Sequence, residues 1–138
     1  MNAPLLVAGS LALLAAAVHG AGGEVLVVRR LSLGGLPSSP FGGPFMTKLM
    51  IRATWHMTTI AFLTVGVALV LSGSILHGET ARGTGLVAAW ASSGFAAIAL
   101  AGGFTQVAQA VRKHEFPFIH PAPFGLTAIA VLAWWGIT

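Results

Sequence analysis

The chain has no cysteine. Disulfides, thiolate metal sites and thiol catalysis are therefore excluded before any pattern is considered. Charge is nearly as scarce: Asp, Glu, Lys and Arg make up 7% of the 138 residues, against roughly a quarter in an ordinary soluble domain. So few charges cannot cover a water-facing surface, and a bilayer is the solvent that permits the deficit. The segments of about ten alternating residues that mark an outer-membrane barrel do not occur. Catalytic signatures are missing as well: there is no phosphate-cradling glycine loop, no His-Glu-x-x-His helix, no Glu-x-x-His di-iron pattern and no serine beside a base motif. No carboxylate falls near the middle of an apolar run, which argues against a proton-driven transporter. No catalytic residue is named on this basis, and the chain does not read as an autonomous enzyme.

What is present is apolar. Hydrophobic residues make up 56% of the chain and the mean hydropathy is +0.88. Uncharged runs cover Met1–Gly23, Ala53–Gly78, Gly83–Val111 and Phe116–Thr138, of 23, 26, 29 and 23 residues. A helix needs roughly 20 apolar residues to cross the hydrocarbon core, and lipid offers the backbone no partners outside helices and closed barrels. The expectation is an all-α polytopic membrane protein: a single membrane domain over 1–138, with four antiparallel transmembrane helices at about 4–22, 50–76, 85–111 and 121–137. Met1–Gly23 is read as the first span rather than a signal peptide, because it has no basic n-region.

The basic residues set the orientation. Arg29, Arg30, Lys48 and Arg52 lie between the first and second runs, Arg112 and Lys113 between the third and fourth, and only Arg82 between the second and third. Six against one is a positive-inside asymmetry. It places both termini on the periplasmic or outer side and residues 24–49 in a cytoplasmic loop. The net charge of +4 is then a topology signal and not a nucleic-acid footprint. The loop, rich in proline and glycine but also carrying Leu36, Phe41, Phe45 and Met46, is expected to lie along the interface or fold over the helix ends. Two columns of small residues, Ala8–Ala12–Ala16–Gly20 and Ala89–Ser93–Ala97–Ala101–Thr105, are the expected contact faces.

On that topology the ligand-capable side chains collect near the cytoplasmic helix ends. His19 closes the first helix, Trp55 and His56 open the second, Gln106 and Gln109 approach the end of the third, and His120 opens the fourth; Glu24 follows the first helix. Imidazole and carboxylate suit transition metals, and facing histidines can hold haem iron. His19, His56, His120 and Glu24 are therefore the candidate metal ligands, with Gln106, Gln109 and Trp55 as cofactor-binding partners. The cofactor would be a transition metal ion or haem, used in electron transfer or metal handling. The bland alternative is that polar residues are simply tolerated at helix ends. Two further readings stand beside the metal site: an accessory or assembly subunit of a larger membrane complex or a homo-oligomer, and a quinone- or lipid-binding module built from Trp55, His56 and the first loop.

The stretch "VHGAGGEVLVVRR" followed by "IRATWHMTT" resembles the first half of small bacterial four-helix membrane proteins without an assigned activity. The resemblance implies a bacterial inner (plasma) membrane location with the lipid bilayer as surroundings, and it transfers no functional residue.

Overall fold

The computed structural model describes residues 1–40, 42–116 and 120–138. Every regular element among the described residues is helical. Helix α1 (Ala3–Ala17) runs into a π-helical turn, Val18–Gly22, and then into α2 (Gly23–Leu26). Two 3₁₀ turns, Val28–Arg30 and Leu33–Gly35, follow; then come α3 (Gly43–Ser74), α4 (Gly78–Arg112) and α5 (Ala122–Ile137). The segments Ala3–Arg30, Gly43–Ser74 and Gly78–Arg112 are each long and apolar enough to cross a membrane. With 16 residues, α5 is only about 24 Å long, short of the roughly 30 Å hydrocarbon thickness.

Two helices begin earlier than the charge pattern suggests. The expected loop to residue 49 ends sooner: Gly42 and Gly43, with φ of 145° and 71°, turn the chain, and Pro44 occupies the first turn of α3, where its missing N–H costs nothing. Gly78, at φ 57°, starts α4 well before residue 85, with Glu79 in the first turn where it opposes the helix dipole. Charge marks where an apolar run stops, whereas glycine and proline mark where the backbone turns. The far end of α4 closes on a left-handed His114 (φ 56°). The His114 N–H donates to the Val111 carbonyl at 3.1 Å and the Glu115 N–H to the Ala110 carbonyl at 2.9 Å, the paired bonds of a Schellman cap.

The chain divides into two compact units, Met1–Ala12 with Val65–Thr138, and Leu13–Thr64. In the first, α4 and α5 lie antiparallel: the Trp134 indole donates to Ser93 Oγ at 2.9 Å, and Trp134 meets Trp90 edge-on at 5.4 Å. The buried face of α4 is Gly85, Ala88, Ala89, Ser92 and Ala96. It departs from the expected small-residue column beyond Ser93, since Ala97, Ala101 and Thr105 are exposed. Ala8 and Ala12 are buried as the first column requires. Glycine permits the closest approaches here. A Cβ on Gly9 would stand 2.7 Å from Val70 Cγ2, and one on Gly85 2.8 Å from Ser72 Oγ. Asn2 ties three elements together: its N–H donates to the Gly73 carbonyl at 2.8 Å, its Nδ2 to the Gly136 carbonyl at 2.6 Å, and its Oδ1 accepts the Leu5 N–H at 3.3 Å.

Candidate functional site

The smaller unit, Leu13–Thr64, holds four of the candidate side chains, His19, Glu24, Trp55 and His56. Around His19 the chain supplies Gly20, Gly22 and Gly23, and the π-helical turn falls on this stretch. Wide turns of this kind recur at functional sites. The glycines let α3 come close: a Cβ on Gly20 would stand 2.7 Å from Thr59 Cγ2, and one on Gly23 would clash with the Trp55 indole. Trp55 fills the space so created. Its ring stacks on His19 with centroids 4.4 Å apart and planes 11° apart, and its indole N–H donates to the His19 carbonyl at 2.9 Å. Phe62 meets the imidazole in a T-shaped contact, with ring centroids 5.4 Å apart. His19 Nδ1 lies 3.0 Å from Thr59 Oγ1, and the Thr59 hydroxyl donates to the Trp55 carbonyl at 3.2 Å.

An open groove of about 680 Å³ lies beside this stack. His19, Met50, Ile51, Trp55 and Thr58 form one wall, and Pro37–Pro40 of the first loop the other. The loop is held in place by α3. The Thr47 hydroxyl donates to the Pro37 carbonyl at 2.9 Å, and Lys48 Nζ donates to the Leu31 carbonyl at 2.7 Å. The first loop thus folds onto α3, and the volume of the groove lies within the range of small-molecule sites. Phe41, part of the expected aromatic loop, lies outside the described residues; Phe45 is exposed and forms none of the lining.

One helical step from Trp55, about 100° around α3, His56 belongs to a different cluster. Glu24 is the centre of that cluster, its side chain only 10% exposed. Its Oε1 takes Arg52 Nη2 at 2.9 Å and Arg29 Nε at 3.3 Å. His56 Nε2 stands 3.3 Å from Oε2, within ion-pair distance but outside hydrogen-bond geometry, so that Oε2 is buried without a hydrogen bond. One carboxylate here faces two guanidiniums and an imidazole. A further cation is disfavoured at that carboxylate by simple Coulomb repulsion.

Of the residues expected to form a site, His19, Glu24, Trp55 and His56 fall in one unit. Gln106, Gln109 and His120 belong to the other, and all three are exposed. His120 Nδ1 accepts the Ala122 N–H at 3.1 Å, a helix-start contact. Among the described residues no group of three or more His, Asp or Glu side chains is placed to hold a metal ion. The face of α3 that continues His56, through Ile60, Leu63 and Val67, is exposed; the packed face is Phe62, Val65, Leu69 and Ser72.

Thr59 is the partner that residue spacing did not reveal. The legible signal was the glycine cluster around His19, which implies a neighbour at close range without naming it. Comparison with protein-family models, with curated proteins and with solved structures finds no match for this chain.

Proposed function

We propose that this chain is a small integral membrane protein whose groove binds a lipid-soluble ligand with a flat polar head, of the quinone class. The observation that carries this reading is the His19–Trp55 stack on the wall of an apolar groove of about 680 Å³. A stacked aromatic pair offers a planar surface to a ring, and the apolar surface of Pro37, Pro40, Met50, Ile51 and Trp55, interspersed with serine and threonine hydroxyls, suits a ligand with an apolar body and a polar head. The excess of basic residues in the segment 24–52 supports a position for the groove at the cytoplasmic side of a bacterial inner membrane, with both termini outside. The bilayer then supplies the ligand, which reaches the groove without passing through water.

The test is a titration of the purified protein in nanodiscs with a short-chain benzoquinone. Saturable binding is expected, and Ile51→Trp, which fills the groove, abolishes it while leaving the melting temperature within a few degrees. Binding that is unsaturable, or indifferent to Ile51→Trp, contradicts the reading.

A second reading has one observation in its favour. Histidines that ligate metals commonly donate their other ring N–H to an oxygen acceptor, and His19 Nδ1 stands 3.0 Å from Thr59 Oγ1. His19 Nε2 fits a transition metal or haem iron. Glu24, engaged by Arg29 and Arg52, does not. Metal analysis and an absorption spectrum decide: absence of stoichiometric metal and of a Soret band eliminates this reading.

A further inference from the structure

Over the segment 24–52 four basic residues, Arg29, Arg30, Lys48 and Arg52, stand against a single acid, Glu24. The acid is the buried member: its side chain is 10% exposed, against 69% and 53% for Arg29 and Arg52. An isolated surface ion pair does little to order its long side chains. Here both guanidiniums are drawn to the same atom, Glu24 Oε1, with Arg29 Nε at 3.3 Å and Arg52 Nη2 at 2.9 Å. Arg29 comes from the 3₁₀ turn after α2 and Arg52 from α3. The carboxylate thus gathers two cations that would otherwise repel each other.

The charges do not cancel. Two guanidiniums against one carboxylate leave an excess of positive charge, and His56, with Nε2 3.3 Å from Glu24 Oε2, adds to it when protonated. The donors are not used up either. A guanidinium carries five N–H groups in a rigid fork, and Glu24 engages one nitrogen of each arginine. Arg29 meets the carboxylate through Nε, which leaves both of its terminal nitrogens over. More than half of each arginine side chain is exposed, whereas Glu24 Oε2 is sealed from solvent. An anion arriving from outside meets the N–H groups and not the second carboxylate oxygen.

We infer that Arg29 and Arg52 form a binding site for a phosphate group, their guanidiniums held side by side by Glu24. Phosphate is the chemistry that two such forks match: its several oxygens accept charge-assisted hydrogen bonds from both arginines at once. Free inorganic phosphate and the headgroup of an anionic phospholipid both carry that chemistry. The headgroup suits a chain with apolar spans, because basic pockets beside the cytoplasmic ends of membrane helices take such groups. The inference does not rest on the quinone reading, and failure of either leaves the other standing.

The experiment titrates the purified protein, in an uncharged detergent, with short-chain phosphatidylglycerol and separately with inorganic phosphate. The wild type is compared with Arg29→Gln, Arg52→Gln and Arg30→Gln. Arg30 is exposed and outside the Glu24 cluster, so Arg30→Gln removes the same charge from the same segment. Saturable binding of at least one probe to the wild type is expected. Arg29→Gln and Arg52→Gln should each weaken it about tenfold or more, the worth of a hydrogen bond between charged groups, and Arg30→Gln by less than about threefold. Tighter binding of the lipid identifies a headgroup as the source, and equal or tighter binding of inorganic phosphate identifies the free anion. Absence of saturable binding of both probes overturns the inference. So does wild-type affinity in Arg29→Gln and Arg52→Gln, or a loss in Arg30→Gln as large as theirs, which is the mark of diffuse charge. If a glutamine variant does not fold, Arg29→Lys and Arg52→Lys replace it, keeping the charge beside Glu24 but giving up the fork. A loss of about threefold or more is then expected, and an unchanged affinity overturns the inference.

Discussion

Thr59 Oγ1 sits 3.0 Å from His19 Nδ1 and joins a π-helical turn of one segment to the middle of another helix. Four residues before Thr59, Trp55 stacks on the same imidazole. The plane of the His19 ring is therefore set by α3, and Gly20 and Gly23 are small so that α3 can reach it.

The tautomer is directly readable. Nitrogen-15 NMR of selectively labelled histidine should show His19 in the Nδ1–H form, and Thr59→Val should shift it toward a mixture with the Nε2–H form. A His19 signal in the Nε2–H form in the wild type would mean that Thr59 donates to Nδ1 and leaves the Trp55 carbonyl.

The glycines can be tested as a pair. Gly23→Ala sets a methyl against the Trp55 indole and should cost about 1–3 kcal/mol of stability, the usual cost of overpacking. Gly22→Ala meets nothing within 4 Å and should be neutral or stabilising by up to about 1 kcal/mol, the helix-propensity difference. Denaturation in mild detergent measures both. Equal effects would mean that Trp55 is not held against Gly23.

Asn2 is the polar tie of the larger unit. Removing its side chain in Asn2→Ala frees the Gly136 carbonyl and the Leu5 N–H and should cost about 1–3 kcal/mol. Asn2→Asp keeps the acceptor for Leu5 but sets an anion against the Gly136 carbonyl, and is expected to be no better than alanine. A silent Asn2→Ala in thermal denaturation contradicts the contact.

At Glu24 the asymmetry between partners matters. Arg29 and Arg52 are 69% and 53% exposed, so water screens each of them, and an exposed arginine deleted alone should cost no more than about 1 kcal/mol. Glu24→Gln removes the shared anion from Arg29, Arg52 and His56 together, so its cost should exceed that of Arg52→Ala. The reverse order in urea or detergent titrations would place the stabilising weight on the arginine.

His114 adopts a left-handed conformation in which glycine is favoured over any β-carbon residue. His114→Gly should therefore stabilise the protein by about 1 kcal/mol, seen as a raised melting temperature. A fall would mean that the His114 side chain holds the turn through contacts of its own.

Much of this helical fold was legible because long apolar runs follow simple rules. Long uncharged runs gave the helices their existence and order, and four-residue spacing found Ala8 and Ala12 in the packed face. Helix ends were misplaced where charge was read as a boundary, since Lys48 and Arg52 continue α3 without penalty and the turn belongs to Gly42–Gly43. The column on α4 drifted by one residue beyond Ser93, because Ala and Ser occur on both candidate faces and spacing alone cannot choose between Ala96 and Ala97. At the site, the place of each residue along its own helix was readable and its direction around that helix was not. His19 and Trp55 share a groove while His56, the next residue after Trp55, turns to Glu24. The groove itself was invisible in one dimension, because it needs Pro37–Pro40 to fold back onto α3.

Extraction of the wild type and Ile51→Trp directly from their native membrane into polymer nanodiscs, followed by mass spectrometry of the retained lipids, offers the decisive comparison. A ring-bearing lipid of the quinone class held in near-stoichiometric amount by the wild type and lost from Ile51→Trp is the predicted outcome. Identical lipid complements in the two proteins would leave the His19–Trp55 groove without a ligand and return both residues to a structural role.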